Sequence, residues 1–183
     1  MAGEGSGAHS LAFSAAREAC REGGALVVFD QARQFYPPAA ARLGIGLECL
    51  IVVQAASVAD NLWALDQTLR CPGVAAALAW PERLDGCIFR RLQLAAEEGG
   101  GLGLLVRPER ARHEPSWADV RLLAEPLPAA DPYAPRRLTL QLLRTHGNAN
   151  GERVEVEIDH ETHSLHLAPP MAPPTPRRRA AGA

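Results

Sequence analysis

The sequence predicts an α/β fold: a mostly parallel sheet flanked by helices, with antiparallel strands added at its C-terminal edge. Three observations carry that prediction. Short unbroken apolar runs alternate with helical stretches up to Val106, the helical stretches stop after Pro108, and the later runs alternate apolar with polar residues. A strand buried on both faces reads as a continuous apolar run, and a parallel neighbour requires a crossover, usually a helix. A strand with one wet face alternates instead.

The elements follow in order. Leu11, Ala15 and Ala19 share one side of a helix from Ala8 to Glu22, which Gly23-Gly24 stops. Ala25 to Asp30 is the first apolar strand, and Pro37-Pro38 opens a short helix ending at Gly44. Leu47 to Val53 is the second strand. Ser57 caps a helix from Val58 to Arg70 that carries Leu62, Leu65 and Leu69 on one face. Val74 to Trp80 is the third strand, Asp85 caps a helix from Gly86 to Glu98, and Gly101 to Val106 is the fourth strand. Beyond Pro108, residues 117–127, 137–145, 153–158 and 164–167 read as strands joined without helices. Gly147 to Gly151 and Asp159 to Thr162 supply the turn chemistry between the last three. Val154, Val156 and Ile158 alternate with Glu155, Glu157 and Asp159, as a half-solvated strand does. The expectation is one domain over 1–167, with the antiparallel extension at 117–167 and a Pro- and Arg-rich unfolded tail at 168–183.

Composition narrows the classes. The 183 residues suit one domain at roughly 150 residues per domain, and 47% apolar with 22% charged residues is a globular balance. No apolar run approaches the roughly 20 residues that cross a bilayer. The start, Met1 to Gly7, has no basic segment followed by an apolar one, so the sequence predicts a cytoplasmic protein without membrane contact. A net charge of −2 gives no overall pull toward nucleic acid. All 19 basic residues are Arg, as codon bias in a GC-rich genome produces. Cys20, Cys49, Cys71 and Cys87 form no CxxC pair and read as free thiols. His160, His163 and His166, with Glu161, lie around a turn and a strand without the HExxH pattern, so no metal site is expected.

The N-terminal stretch Gly3-Glu4-Gly5-Ser6-Gly7-Ala8-His9-Ser10 nearly fits the phosphate-loop pattern G-x-x-x-x-G-K-[ST]. Gly3 and Ser10 are in register, but Ala8 replaces the second glycine and His9 the lysine. Neutral imidazole lacks the fixed charge the lysine supplies. Two readings stay open: a flexible glycine-rich start, or a vestigial nucleotide loop built on Gly3, Gly5, Gly7, His9 and Ser10. Arg90-Arg91 on the fourth helix is either a solvated pair or a contact for a partner or for DNA phosphate. Arg177, Arg178 and Arg179 behind a Pro-rich spacer are likewise an idle tail or a docking segment.

The order of loop, helix, Val27-Val28-Phe29-Asp30, a Pro-containing stretch, Ala41-Arg42-Leu43-Gly44 and the strand Leu50 to Gln54 resembles the ATPase core of RecA-type recombinases. The resemblance implies a catalytic Glu just after the first strand and a magnesium-side Asp at the end of the third. In this sequence those places fall near Ala32 and at Ala79 or Trp80, and Met1 falls at the loop itself, so either the start is misassigned or the sheet lacks the strand that precedes the family's loop. Phosphoryl transfer depends on positioned charge, so the expectation is a degenerate pseudo-ATPase with no cofactor.

A narrower resemblance covers roughly residues 3–167. Trp63 to Trp80, Arg90-Arg91-Leu92-Gln93-Leu94-Ala95-Ala96-Glu97, Gly103 to Pro108, Arg121-Leu122 with Pro126-Leu127-Pro128, and Arg137 to Arg144 together look like the ImuA family. That resemblance implies a RecA-like, SulA-related accessory protein of SOS-induced mutagenic translesion DNA synthesis. It implies contacts with RecA and an ImuB-like Y-family polymerase homologue, and at most weak contact with DNA. The alternatives are a SulA-like division inhibitor that binds the tubulin-like division protein, and an active nucleotide-dependent ATPase.

Overall fold

The computed structural model describes residues 7–128, 135–145, 151–159 and 164–168. Gly3, Gly5, His160, Glu161, His163, Arg177, Arg178, Arg179 and the tail from 169 onward lie outside the described residues, as do most of the two turn sequences.

The N-terminal half is a four-stranded parallel sheet in the order β2-β1-β3-β4, built from β1 (Ala25–Phe29), β2 (Leu50–Val53), β3 (Val74–Ala79) and β4 (Leu102–Leu105). Its crossovers are α2 (Pro37–Arg42), α3 (Val58–Leu69) and α4 (Gly86–Gly99), and α1 (Ala8–Ala19) leads into β1. Alternation along the strands sorts the core into two halves. Leu26 and Val28 point toward Ala12, Ala16 and Ala40 of α1 and α2. Val27 and Phe29 point toward Leu65, Leu69, Leu92 and Ala95 of α3 and α4. Leu26, Val28, Phe29, Leu65 and Leu78 are almost fully buried. Each such side chain contributes about 1.5–3 kcal/mol relative to exposure, which makes these faces the main source of stability.

The local signals act as their residue types dictate. Ser57 Oγ accepts from Asp60 N at 3.0 Å to start α3, and the Asp85 carboxylate accepts from Cys87 N at 2.7 Å to start α4. Gly100 then takes the left-handed conformation, φ 75°, and closes α4 by donating to the Ala96 carbonyl at 2.9 Å.

The C-terminal half is an antiparallel meander, β5 (Arg121–Pro126), β6 (Arg136–Arg144), β7 (Arg153–Ile158) and β8 (Leu165–Leu167), paired in sequence order. One face is apolar: Ala124, Leu138, Leu140, Val156 and Ile158 enter the same core as α1. On the other face Arg137 meets Glu155 at 3.0 Å, and Leu123 is buried there.

The fold class is the one expected, with refinements in detail. The antiparallel strands form a sheet of their own, and an apolar groove of about 590 Å³ separates β4 from β5. The second strand begins at Leu50, because Cys49 N donates to the Gly46 carbonyl at 3.2 Å and winds residues 47–49 into a 3-10 turn. The fifth begins at Arg121, because Ser116 Oγ accepts from Ala118 N at 3.2 Å and bends the chain around Trp117. The first helix gives way to a 3-10 turn over Cys20–Glu22 before Gly23.

Candidate functional site

Open parallel sheets present ligand sites beyond the carboxyl ends of their strands. In this molecule that place is a cleft of about 950 Å³, walled by the start of α1, the loop after β1, the N-terminal turns of α3 and the segments after β3 and β4. Asp30, Trp80 and Arg107 stand at the strand ends, and His9 reaches in from α1.

Of the described residues of the phosphate-loop pattern, His9 lines this cleft, whereas Gly7 faces Leu138 of β6 and Ser10 lies in the first turn of α1 outside the lining. Gly7 is the N-cap of α1 and is left-handed, with φ 78°. A β-carbon at that position would lie 2.6 Å from both methyl carbons of Leu138, so packing between α1 and β6 requires a residue without one. His9 lies in the first turn, its ring stacked on Trp80 with centroids 5.9 Å apart and planes 25° apart. Burial against that ring lowers the pKa of His9 below the ordinary imidazole value, which keeps it neutral at pH 7. The group in the lysine's place therefore carries no charge for a phosphate.

The two charged residues at the strand ends are both engaged by the chain itself. Asp30 is buried, and its carboxylate accepts from Gln34 N at 2.9 Å, Phe35 N at 3.1 Å and Gln54 Nε2 at 3.4 Å. It holds the 31–36 loop against the end of β2. Arg107, also buried, donates to Glu114 Oε2 at 2.6 Å and to the Pro81 and Glu82 carbonyls at 3.5 and 3.4 Å. Charged groups buried this deeply need such partners, and removing one would strand the other. No group of three or more His, Cys, Asp or Glu converges among the described residues. The four cysteines are free, and burial raises the pKa of the Cys20 thiol, away from nucleophilic chemistry.

Arg90 and Arg91 meet different neighbours within the chain. The Arg90 guanidinium lies over the Trp117 ring, 4.9 Å from its centroid, and donates to Gln93. Arg91 Nε stands 3.3 Å from Asp66 Oδ1, tying α4 to α3, where Arg70 meets the same buried carboxylate at 3.4 Å. Sequence reasoning singled out neither Trp117 nor Asp66. Asp66 lies four residues before Arg70, a spacing that offers a helical ion pair; Trp117 carries no local signal. No described helix is long and apolar enough to cross a membrane.

No protein-family model matches the chain. It is similar to Protein ImuA of two strains of Caulobacter vibrioides, at 33% identity over 168 residues, covering 83% of this chain and 69% of that protein. In fold it is similar to the RadB recombinase, with a TM-score of 0.64 and 13% identity, over 90% of this chain and 86% of that one. It is also similar to SulA from Pseudomonas aeruginosa, with a TM-score of 0.50 and 22% identity, over 58% of this chain and 92% of that one. The two structural likenesses establish a RecA-like architecture; combined with the identity to the Caulobacter proteins across most of both chains, they mean that this chain belongs to the ImuA family.

Proposed function

We propose that this protein is a non-catalytic RecA-like accessory factor of SOS-induced mutagenic translesion DNA synthesis, acting through contacts with RecA and an ImuB-like Y-family polymerase homologue. Membership of the ImuA family supports the pathway. One observation at the cleft supports the absence of catalysis. Asp30 and Arg107, the charged groups at the strand ends, hold the chain's own loops, while neutral His9 lies against Trp80. Phosphoryl transfer needs positive charge and a metal-side carboxylate aimed at the phosphates; Asp30, Arg107 and His9 supply neither, and the other charges lining the cleft are Arg83 and the ion pair of Arg110 with Glu82.

The mechanism is surface recognition. A recombinase-like protomer keeps the shape that a filament or polymerase subunit recognises while its strand-end chemistry serves the loops instead. Arg90, Arg91, Arg177, Arg178 and Arg179 are the basic candidates for partner contact, and any DNA contact through them is weak at a net charge of −2. The likeness to SulA is one of fold alone and adds no division partner.

The test is affinity capture from DNA-damaged cells with the full chain as bait. The expected result is recovery of RecA or a Y-family polymerase homologue. Recovery of the tubulin-like division protein with neither repair partner would overturn the reading.

A further inference from the structure

β4 ends the parallel sheet and β5 ends the antiparallel one, and the groove between them lies where the next strand of either sheet would come. All four residues of β4 line it, as do Leu122 and Ala124 of β5. Its two walls are apolar. Ala8, Leu11 and Ala12 of α1 pack with one core, and Leu69, Leu92 and Ala96 of α3 and α4 with the other. α1 touches β3, β4 and β5 alike, so it roofs the groove from one sheet to the next. Leu102 of β4 is nevertheless 40% exposed, and Val120, just ahead of β5, is 57% exposed.

The handedness of the parallel half says which segment fits. α2 carries the chain from β1 to β2 across the face on which α1 also lies, while α3 and α4 cross on the opposite face. The first crossover moves along the sheet toward β2 and the other two toward β4, so all three share one hand, the right-handed one of parallel β-α-β units. Of the four helices, α1 alone has no described strand before it. A parallel strand beside β4, followed by α1 and then β1, would move in the direction of the first crossover and across the same face. It would complete a fourth unit of the same hand.

We propose that the groove seats one further strand, an unbroken apolar segment on the N-terminal side of the glycine-rich stretch, parallel to β4 and leading through Gly7 into α1. The outer N–H and C=O groups of an end strand are satisfied along their length by an extended backbone, not by a helix or a small molecule. Helices cover both faces of the groove, so a segment that alternates with polar residues would bury them, and a continuous apolar run is required. The four residues of β4, at about 3.3 Å each, ask for a run of roughly four or five. The stretches outside the described residues contain no four consecutive apolar residues, so the segment lies beyond these 183. Such a strand would join the two sheets into one. It is independent of the accessory-factor reading, since it follows from topology alone.

The probe is the full chain extended at its N-terminus by Lys-Lys-Val-Leu-Val-Ile-Val-Gly-Gly, with amide hydrogen exchange followed by mass spectrometry. The expected result is a roughly tenfold slowing of exchange over both 102–105 and 122–125, with a higher thermal transition than that of the unextended chain. Changing the apolar run to Val-Ser-Val-Ser-Val, or its central Val to Pro, should abolish the slowing. Ala15→Glu, which puts a carboxylate on the α1 wall, should abolish it too; if that variant fails to fold, the two altered segments carry the test. The same segment added as a free equimolar peptide should protect far less, because joining raises its effective concentration to about millimolar. No slowing, slowing confined to one of the two strands, slowing that survives in folded Ala15→Glu, or equal slowing by the Ser-alternated segment would overturn the proposal. So would equal protection by the free peptide, because the groove would then belong to a strand of another protein.

Discussion

Beside β4 the chain turns back and lays its antiparallel sheet alongside, burying Ala124 and Leu138 in the core of α1; beside β2 no described strand pairs, and Ile51 and Val52 are exposed. The first arrangement brings a second sheet beside β4 without pairing to it, since β4 and β5 belong to separate sheets divided by a groove of about 590 Å³. Along β2, Leu50 and Val53 pack partly against the cores, while Ile51 and Val52 have no covering element among the described residues. The contrast separates residues that hold the molecule together from residues left exposed at the far edge of the parallel sheet.

The largest expected effect tests that separation directly. Leu138 of β6 is fully buried against the start of α1, so Leu138→Ala should cost about 3 kcal/mol, within the range of 2–5 for a core Leu truncation. Ile51→Ala should stay within about 0.5 kcal/mol, as exposed substitutions do. Urea denaturation measures both, and equal losses would erase the distinction between the two edges. Gly7→Ala comes next, at about 1–2 kcal/mol, since it places a β-carbon in a left-handed conformation and against Leu138 at the seam of the two sheets. Its loss should shrink in a Leu138→Ala background, because the neighbour it collides with is then gone.

Smaller effects sharpen the picture at the helices. Arg90→Ala removes a guanidinium from the Trp117 ring and should cost about 0.5–1 kcal/mol, the usual size of such a contact at a partly exposed site. Arg91→Ala acts on a different partner, Asp66, so the double variant should be additive within about 0.5 kcal/mol in a denaturation cycle. The smallest effect is at His9. Its folded pKa is depressed by burial, so the unfolded chain takes up a proton that the folded chain resists. Stability from this source is complete above the ordinary imidazole pKa of about 6.5 and falls as pH drops through the lower folded value. His9→Gln should flatten that part of the melting temperature's decline between pH 7 and 5.

The parallel half was readable because burial on two faces leaves unbroken apolar runs such as Leu26 to Phe29, and because Ser57 and Asp85 mark helix starts by chemistry that acts within three residues. The separation of the two sheets was not readable, since alternation such as Val154 to Ile158 fixes which face is wet but names no neighbouring strand. At the candidate site, the adjacency of Arg90 and Arg91 in sequence does not tell which neighbour each side chain meets. Adjacent helical residues lie about 100° apart, so one arginine meets Trp117 and the other Asp66. The roles of Asp30 and Arg107 depend on loops that return from elsewhere in the chain, and no local pattern carries that information.

The central claim is that a RecA-like core here recognises proteins without turning over nucleotide. Phosphate release from ATP by the purified full chain, with magnesium and single-stranded DNA present, tests it most directly. The account predicts release no faster than the protein-free blank. Turnover above that blank, abolished by Ser10→Ala while the thermal transition stays in place, would contradict it.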